Sequence, residues 1–225
     1  MQEEYYLNKL YPFQDEILSI IAGLNLDFYL SGGTALSRCF LFHRYSDDLD
    51  LFLNDHADFK KQCENLVNCL KQNSFQCRVT IAGDSFLRMF IDNQEMELKI
   101  DCINDVAFHY DGFENCDFFG KVDNWRNILS NKICALTRME PKDYADVLYI
   151  AEKYEFVWED IIEEAREKDL WVEPIEASRT INSFPVKYLE SLKWITPPDM
   201  QQAKKHLEQI AAEILKGGKN SLSAQ

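Results

Sequence analysis

The sequence is short of several things, and each shortage removes a class of protein. Its seven cysteines (Cys39, Cys63, Cys69, Cys77, Cys102, Cys116 and Cys134) are odd in number and never fall as CxxC. That argues against a disulfide framework and against zinc-ligand spacing. The expectation is free thiols in a reducing compartment, most of them small buried hydrophobes. The four histidines (His43, His56, His109, His206) show no HExxH or HxH grouping, so none receives a metal role. No apolar run approaches the roughly 20 residues of a membrane span. The first residues, MQEEYYLNKLYPF, lack the basic and then apolar segments of an export signal. A soluble, cytoplasmic chain is expected. Eight glycines and six prolines in 225 residues, against 46% hydrophobic residues, exclude a fibrous or disordered chain. Positive charge is scarce too: 24 Lys and Arg face 38 Asp and Glu, a net charge of -14. That excludes a protein that coats nucleic acid through bulk charge. An enzyme meeting nucleic acid through one local patch remains open.

What is present changes character along the chain. Residues 13–24 carry Ile17, Leu18, Ile20, Ile21 and Leu24 at helical spacing. Residues 27–30 read as a short strand running into Gly32-Gly33, and 34–42 as a helix. DLDLFL (48–53) alternates as a strand, and Asp55 stands where an N-cap belongs for a helix reaching residue 73. Strands are expected at 86–91 and 95–102 around an Asp92-Asn93 turn. Beyond 121 only helical patterns follow, at 124–139, 141–154, 158–168, 174–182 and 199–216, before a polar tail, GGKNSLSAQ, expected to fray. The organisation predicted is a mixed α/β domain over 1–122 and a helical domain over 123–225.

The chemistry is concentrated in FYLSGGTALSRCFLFHRYSDDLDLFL. Two glycines at a strand-to-helix turn let backbone approach a phosphate, and the N–H groups of a helix start favour an anion. The Thr34 hydroxyl is placed to add a hydrogen bond to a terminal phosphate. On a strand, Asp48 and Asp50 project from the same face while Leu49, Leu51 and Leu53 point into the core. Two carboxylates roughly 7 Å apart along a strand suit hard cations such as Mg²⁺, with Mn²⁺ an alternative. Either motif alone is common; their ordered combination in a strand–turn–helix–strand context is far more specific.

The GGT…DLDL pattern resembles the nucleotidyltransferase superfamily that includes DNA polymerase β. RYSDDLDLF is similar to the form found in the AbiEii/AbiGii toxin family. That family also carries a downstream segment matched here by NKICALTRMEPKDYADVLYI, with Lys132, Arg138, Lys142, Asp143 and Asp146 at corresponding positions. The resemblance spans residues 28–150 and implies an α+β fold: a polymerase-β-type core, its small mixed sheet flanked by helices, followed by a helical C-terminal domain. It implies that Gly32, Gly33 and Thr34 bind nucleotide phosphates and that Asp48 and Asp50 coordinate Mg²⁺. Lys132 would pair with the triphosphate as a point charge. Asp143 and Asp146 share a helix face, Asp143 on the nucleotide side and Asp146 in catalysis, with helix-dipole complementarity the plain alternative. Arg44 and Ser46 match the family on the nucleotide side, or order the loop before the acidic strand. The superfamily uses a third carboxylate as metal ligand and base; Asp101 is the candidate, with Asp92 and Asp105 behind it.

The implied reaction is transfer of a nucleoside monophosphate from an NTP to an acceptor hydroxyl, with RNA of the tRNA class as acceptor and a cognate antitoxin as partner. The alternatives are transfer to a small molecule, as in antibiotic nucleotidyltransferases, transfer to protein, or a non-catalytic nucleotide-binding module. Trp125, Trp158, Trp171, Trp194 and Phe118-Phe119 are read as packing residues. Residues 155–176 hold nine acids and two bases, a solvated face. Arg179, Lys187, Lys193, Lys204 and Lys205 supply a weakly basic surface for an RNA backbone.

Overall fold

The computed structural model describes residues 2–224. A helical run starts at α1 (Gln2–Tyr5), passes through π-helical turns at Tyr6–Leu10 and continues as α2 (Tyr11–Ala22). β1 (Tyr29–Ser31) runs directly into α3 (Gly32–Ala35), which continues as π-helical turns over Leu36–Leu41. β2 (Leu49–Asn54) and α4 (Phe59–Gln72) follow, then β3 (Gln76–Ala82), β4 (Phe86–Asp92), β5 (Glu97–Asp105), β6 (Glu114–Cys116) and β7 (Phe119–Val122). The helices α5 (Trp125–Ala135), α6 (Pro141–Lys153), α7 (Trp158–Lys168), α8 (Pro174–Ser183) and α9 (Met200–Lys216) complete the chain, with a 3₁₀ segment at Val186–Ser191. The fold is α+β. Among the described residues, no helix is long and apolar enough to cross a membrane.

One mixed sheet has the order β3-β4-β5-β2-β1-β7-β6. β2 lies between β1, antiparallel to it, and β5, parallel to it. Alternation then sorts the side chains. Leu49, Leu51, Leu98, Ile100, Cys102, Met89 and Ile91 are all buried on one face. The opposite face carries Asp48, just before β2, and Asp50 from β2, Lys99 and Asp101 from β5, and Arg88 from β4. Burial of the leucines thus fixes the direction of the acids, since a one-residue slip would put every leucine in water.

The chain divides into two units: residues up to Cys39 together with Tyr45–Asn124, and Phe40–Arg44 together with the residues from Trp125 onward. Trp158, Ile161, Ile210 and Ala165 form part of the buried core of the second unit. The short segment Phe40–Arg44 pairs there, through an isolated bridge between Arg44 and Trp194.

Several expectations are corrected. Helix α4 starts at Phe59 with Asp58 as its N-cap, not at Asp55. Asp55 instead has φ +42° and donates its N–H to the Asp105 carbonyl at 2.7 Å, extending the β2–β5 ladder by one residue. Cys39 and Cys116 form a disulfide across 77 residues, while Cys63 and Cys102 are buried free thiols as expected. Spacing cannot show such a pair, because only the fold brings their Cα atoms within 6.0 Å. Trp171 does not pack but is 89% exposed. The tail does not fray at Asn220, whose side-chain amide donates to the carbonyls of Ala151 and Tyr154 at the end of α6.

Candidate active site

In the first unit, β1 delivers the chain to Gly32 at φ +68°, where a Cβ would collide with the Asp50 carboxylate. Glycine is required here on both counts. Ser31 and Asp50 are register partners across β1 and β2, and Asp50 and Asp101 are register partners across β2 and β5. The turn and two of the three predicted carboxylates therefore stand in one row across the sheet. Asp101, the candidate third carboxylate, is buried because β5 is flanked by β4 and β2.

Thr34 is fully buried, and its hydroxyl donates to the Asp48 carbonyl. It also shares a hydrogen bond of 2.9 Å with the Ser46 hydroxyl. These two residues tie the start of the helix to the start of the acidic strand, which is the loop-ordering role considered for Ser46. Gln14, buried on α2, donates to the carbonyls of Ser46 and Asp47 at 3.2 and 3.3 Å. The Tyr6 hydroxyl donates to Asp47, and the Tyr6 ring stacks on Tyr45 at 4.1 Å. The sequence reading missed Gln14 and Tyr6. The one available signal was a glutamine beside the apolar stripe of α2.

Two basic residues that the sequence reading left out belong to the same face. Arg88 donates to both carboxylate oxygens of Asp101 at 2.7 Å each, a bidentate pair. Lys99 Nζ lies 2.7 Å from Asp48 Oδ2 and 3.8 Å from Asp101 Oδ2. Burial pulls the Lys99 ammonium down, but the hydrogen bond and charge of Asp48, with Asp101 and Asp50, outweigh it and raise its pKa. The Arg88 pKa is raised chiefly by its hydrogen bonds to Asp101.

The remaining predicted residues meet in the second unit. Arg44 donates from Nε and Nη2 to the two oxygens of Asp146, both at 2.8 Å. Lys132 Nζ is 2.7 Å from Asp143 Oδ1 and 2.7 Å from Asp146 Oδ2, and Arg138 reaches Asp143 at 3.1 Å. Asp143 and Asp146 are fully buried, so neither serves simply as an exposed dipole-complementing acid. Burial opposes the charge of Asp146, but Arg44, Lys132 and His43 overcome it and hold the carboxyl well below the usual range. Burial likewise lowers Lys132, and Asp146 and Asp143 more than restore it. His43 was assigned nothing from sequence, yet its Nε2 stands 2.9 Å from Asp146. Burial depresses the His43 pKa despite Asp146, so the ring is neutral, with Nε2–H donated and Nδ1 buried with no hydrogen-bond partner among the described residues.

Residues 17–220 match the family model described as nucleotidyl transferase AbiEii toxin, type IV TA system. The chain belongs to this AbiEii family. No curated protein gives a significant match. Two crystal structures from Helicobacter pylori share the fold of this AbiEii-family chain. JHP933 is 18% identical, with a TM-score of 0.63 over 95% of this chain and 93% of its own. The second, described as a candidate nucleotidyltransferase, is 20% identical, with a TM-score of 0.63 over 93% of this chain and 94% of its own. In the AbiEii-family sequence, both blocks of the resemblance lie inside the matched span.

Whether the acids suit a metal can be judged from their chemistry. Asp48, Asp50 and Asp101 offer hard oxygen donors of the kind Mg²⁺ takes. Among the described residues, no three Asp, Glu, His or Cys are gathered in a geometry that could hold an ion. Both oxygens of Asp101 are engaged by Arg88. Asp48 and Asp50 remain a fitting pair, because Mg²⁺ is commonly held by one or two carboxylates plus substrate phosphates.

Proposed function

We propose that this AbiEii-family chain transfers a nucleoside monophosphate from an NTP to an acceptor hydroxyl, with RNA as the acceptor class and Mg²⁺ as the ion. The observation that carries the reading is the row Ser31–Asp50–Asp101, in which the left-handed turn at Gly32 stands directly beside two carboxylates. Asp48 and Asp50 would hold the divalent ion, which would supply charge neutralisation at the phosphate under attack. The chain's own residues do the rest. Gly32, half-buried, leaves backbone open to phosphate oxygens at the start of α3, with Gly33 buried behind it. Thr34 and Ser46 hold the turn against the acidic strand. Asp101, both of its oxygens held by Arg88, is the third carboxylate of the row. In the second unit, Lys132 with Arg44, Asp143 and Asp146 forms the second block of the family pattern. Lys132, paired with both acids, is proposed to keep this buried block charged and ordered. A cognate antitoxin is the proposed protein partner.

The test incubates the chain with each α-labelled NTP and total RNA, beside Asp50→Asn. Label on RNA is expected, falling at least about a hundredfold in the variant, as for loss of one electrostatic stabiliser. Undiminished transfer by Asp50→Asn would remove the carboxylate pair from the reaction. Label on protein or on a small molecule would redirect the acceptor.

A further inference from the structure

The acidic face already carries its own counter-charges. Lys99 and Arg88 arise from neighbouring strands and point at the carboxylates across the pleat, because β2, β4 and β5 hold them in register. Arg88 grips Asp101 through two hydrogen bonds in a planar fork, an arrangement that is hard to displace. Lys99 differs. It holds Asp48 by a single close approach of 2.7 Å, and a lysine ammonium is a compact point charge on a flexible stem. The side chains of Lys99 and Asp48 are 24% and 29% exposed, so this pair, unlike the Asp101 carboxylate, is reachable from water.

We propose that Lys99 is the resident counter-cation of Asp48, which a divalent ion must displace, so that metal and nucleotide load together. The inference rests on the reading of Asp48 and Asp50 as the metal pair. Ammonium and metal compete for the same oxygen, and two cations around one carboxylate repel. Metal arriving alone leaves Lys99 with only the longer, 3.8 Å approach to Asp101, whose oxygens Arg88 already holds. A triphosphate arriving with the metal brings several negative oxygens to which the freed ammonium turns. Lys99 is then a positioning residue: it keeps Asp48 neutralised at rest and moves to substrate on loading. By linkage, the nucleotide tightens the metal by the same factor as the metal tightens the nucleotide.

The experiment measures Mn²⁺ binding by electron paramagnetic resonance and calorimetry, with and without a non-hydrolysable α,β-methylene NTP, on the whole chain. Wild type is expected to bind Mn²⁺ weakly alone and about tenfold more tightly with the nucleotide. Lys99→Met is expected to bind Mn²⁺ alone about tenfold more tightly, to lose most of the nucleotide's effect, and to show a raised NTP KM with a smaller change in kcat. Lys99→Arg keeps the cation and is expected to stay near wild type. Thermal unfolding checks each variant, and Lys99→Gln replaces Lys99→Met should the latter fail to fold. Equal Mn²⁺ affinity in wild type and in the neutral variants overturns the role of Lys99 and leaves the proposed function standing. Absence of Mn²⁺ binding by wild type, with and without nucleotide, overturns both.

Discussion

Asp146 keeps its charge inside the protein only because Arg44, Lys132 and His43 surround it. Replacing it with asparagine removes the charge that Arg44 grips in a bidentate pair and leaves Lys132 with Asp143 as its one close carboxylate. Asp146→Asn is therefore expected to cost about 3–5 kcal/mol of unfolding free energy, measured by urea denaturation. The same cluster sets a pH dependence. His43 and Asp146 both titrate below their ordinary values in the folded chain, so as the pH falls the unfolded chain takes up protons first. Their stabilising contribution is complete above the ordinary values of 6.5 for His43 and 3.8 for Asp146, and is lost as the pH drops. Lys132 has the opposite sign: its contribution holds below 10.5 and is lost at higher pH. The urea midpoint of the second unit is expected to fall between pH 7 and pH 5; a rise would contradict the neutral assignment of His43. At this scale the acids were legible, since GGT, DLD and KDYAD are local strings. Their partners were not, because Arg88, Lys99 and His43 are ordinary residues until folding places them 2.7 to 2.9 Å from a carboxylate.

The turn from β1 into α3 carries a constraint that a substitution can test. A methyl group at Gly32 meets two obstacles, the positive φ and the Asp50 carboxylate. Gly32→Ala is expected to destabilise by about 1–2 kcal/mol and to lower transfer about a hundredfold, the effect of roughly 1 Å of misplacement at a reacting group. Denaturation and single-turnover assays check the two parts separately. Full activity would show that Asp50 moves aside without consequence. Helices α6, α7 and α8 match their predicted spans within a residue because helical periodicity is local, and a proline marks the start of two of them. β3 was missed although QCRVTIA alternates polar residues with Cys77, Val79 and Ile81; it is a sheet edge, and Val79 and Ile81 stay 41% and 45% exposed instead of entering the core. β6 and β7 are too short, at three and four residues, to carry a period.

For the molecule as a whole, the net charge of -14 limits how an RNA acceptor can be held. The five basic residues Arg179, Lys187, Lys193, Lys204 and Lys205 set the ceiling, and Lys187 and Lys204 line one groove with Phe184 and Leu207. Each phosphate neutralised on a single strand contributes about -0.7 to the slope of log K against log salt, so that slope is expected to be no steeper than about -3.5. Reversing the five charges is expected to flatten it while leaving Mn²⁺ binding intact, as measured by fluorescence anisotropy over a salt series. An unchanged slope would move the RNA surface elsewhere.

The sequence by itself determined the helices, the alternation of β2 and the order of the reactive strings, because each depends on neighbours within a few residues. It also determined that Asp48 and Asp50 share a face, since a strand allows nothing else. Only the tertiary structure decided which residues oppose them. The parallel pairing of β2 with β5 placed Asp101 beside Asp50, and the antiparallel pairing of β4 with β5 supplied Arg88. Inclusion of Phe40–Arg44 in the second unit gave Asp146 its guanidinium. The physical reason is common to all three: strand register and buried charge pairing act between residues far apart in sequence, where no local period records them.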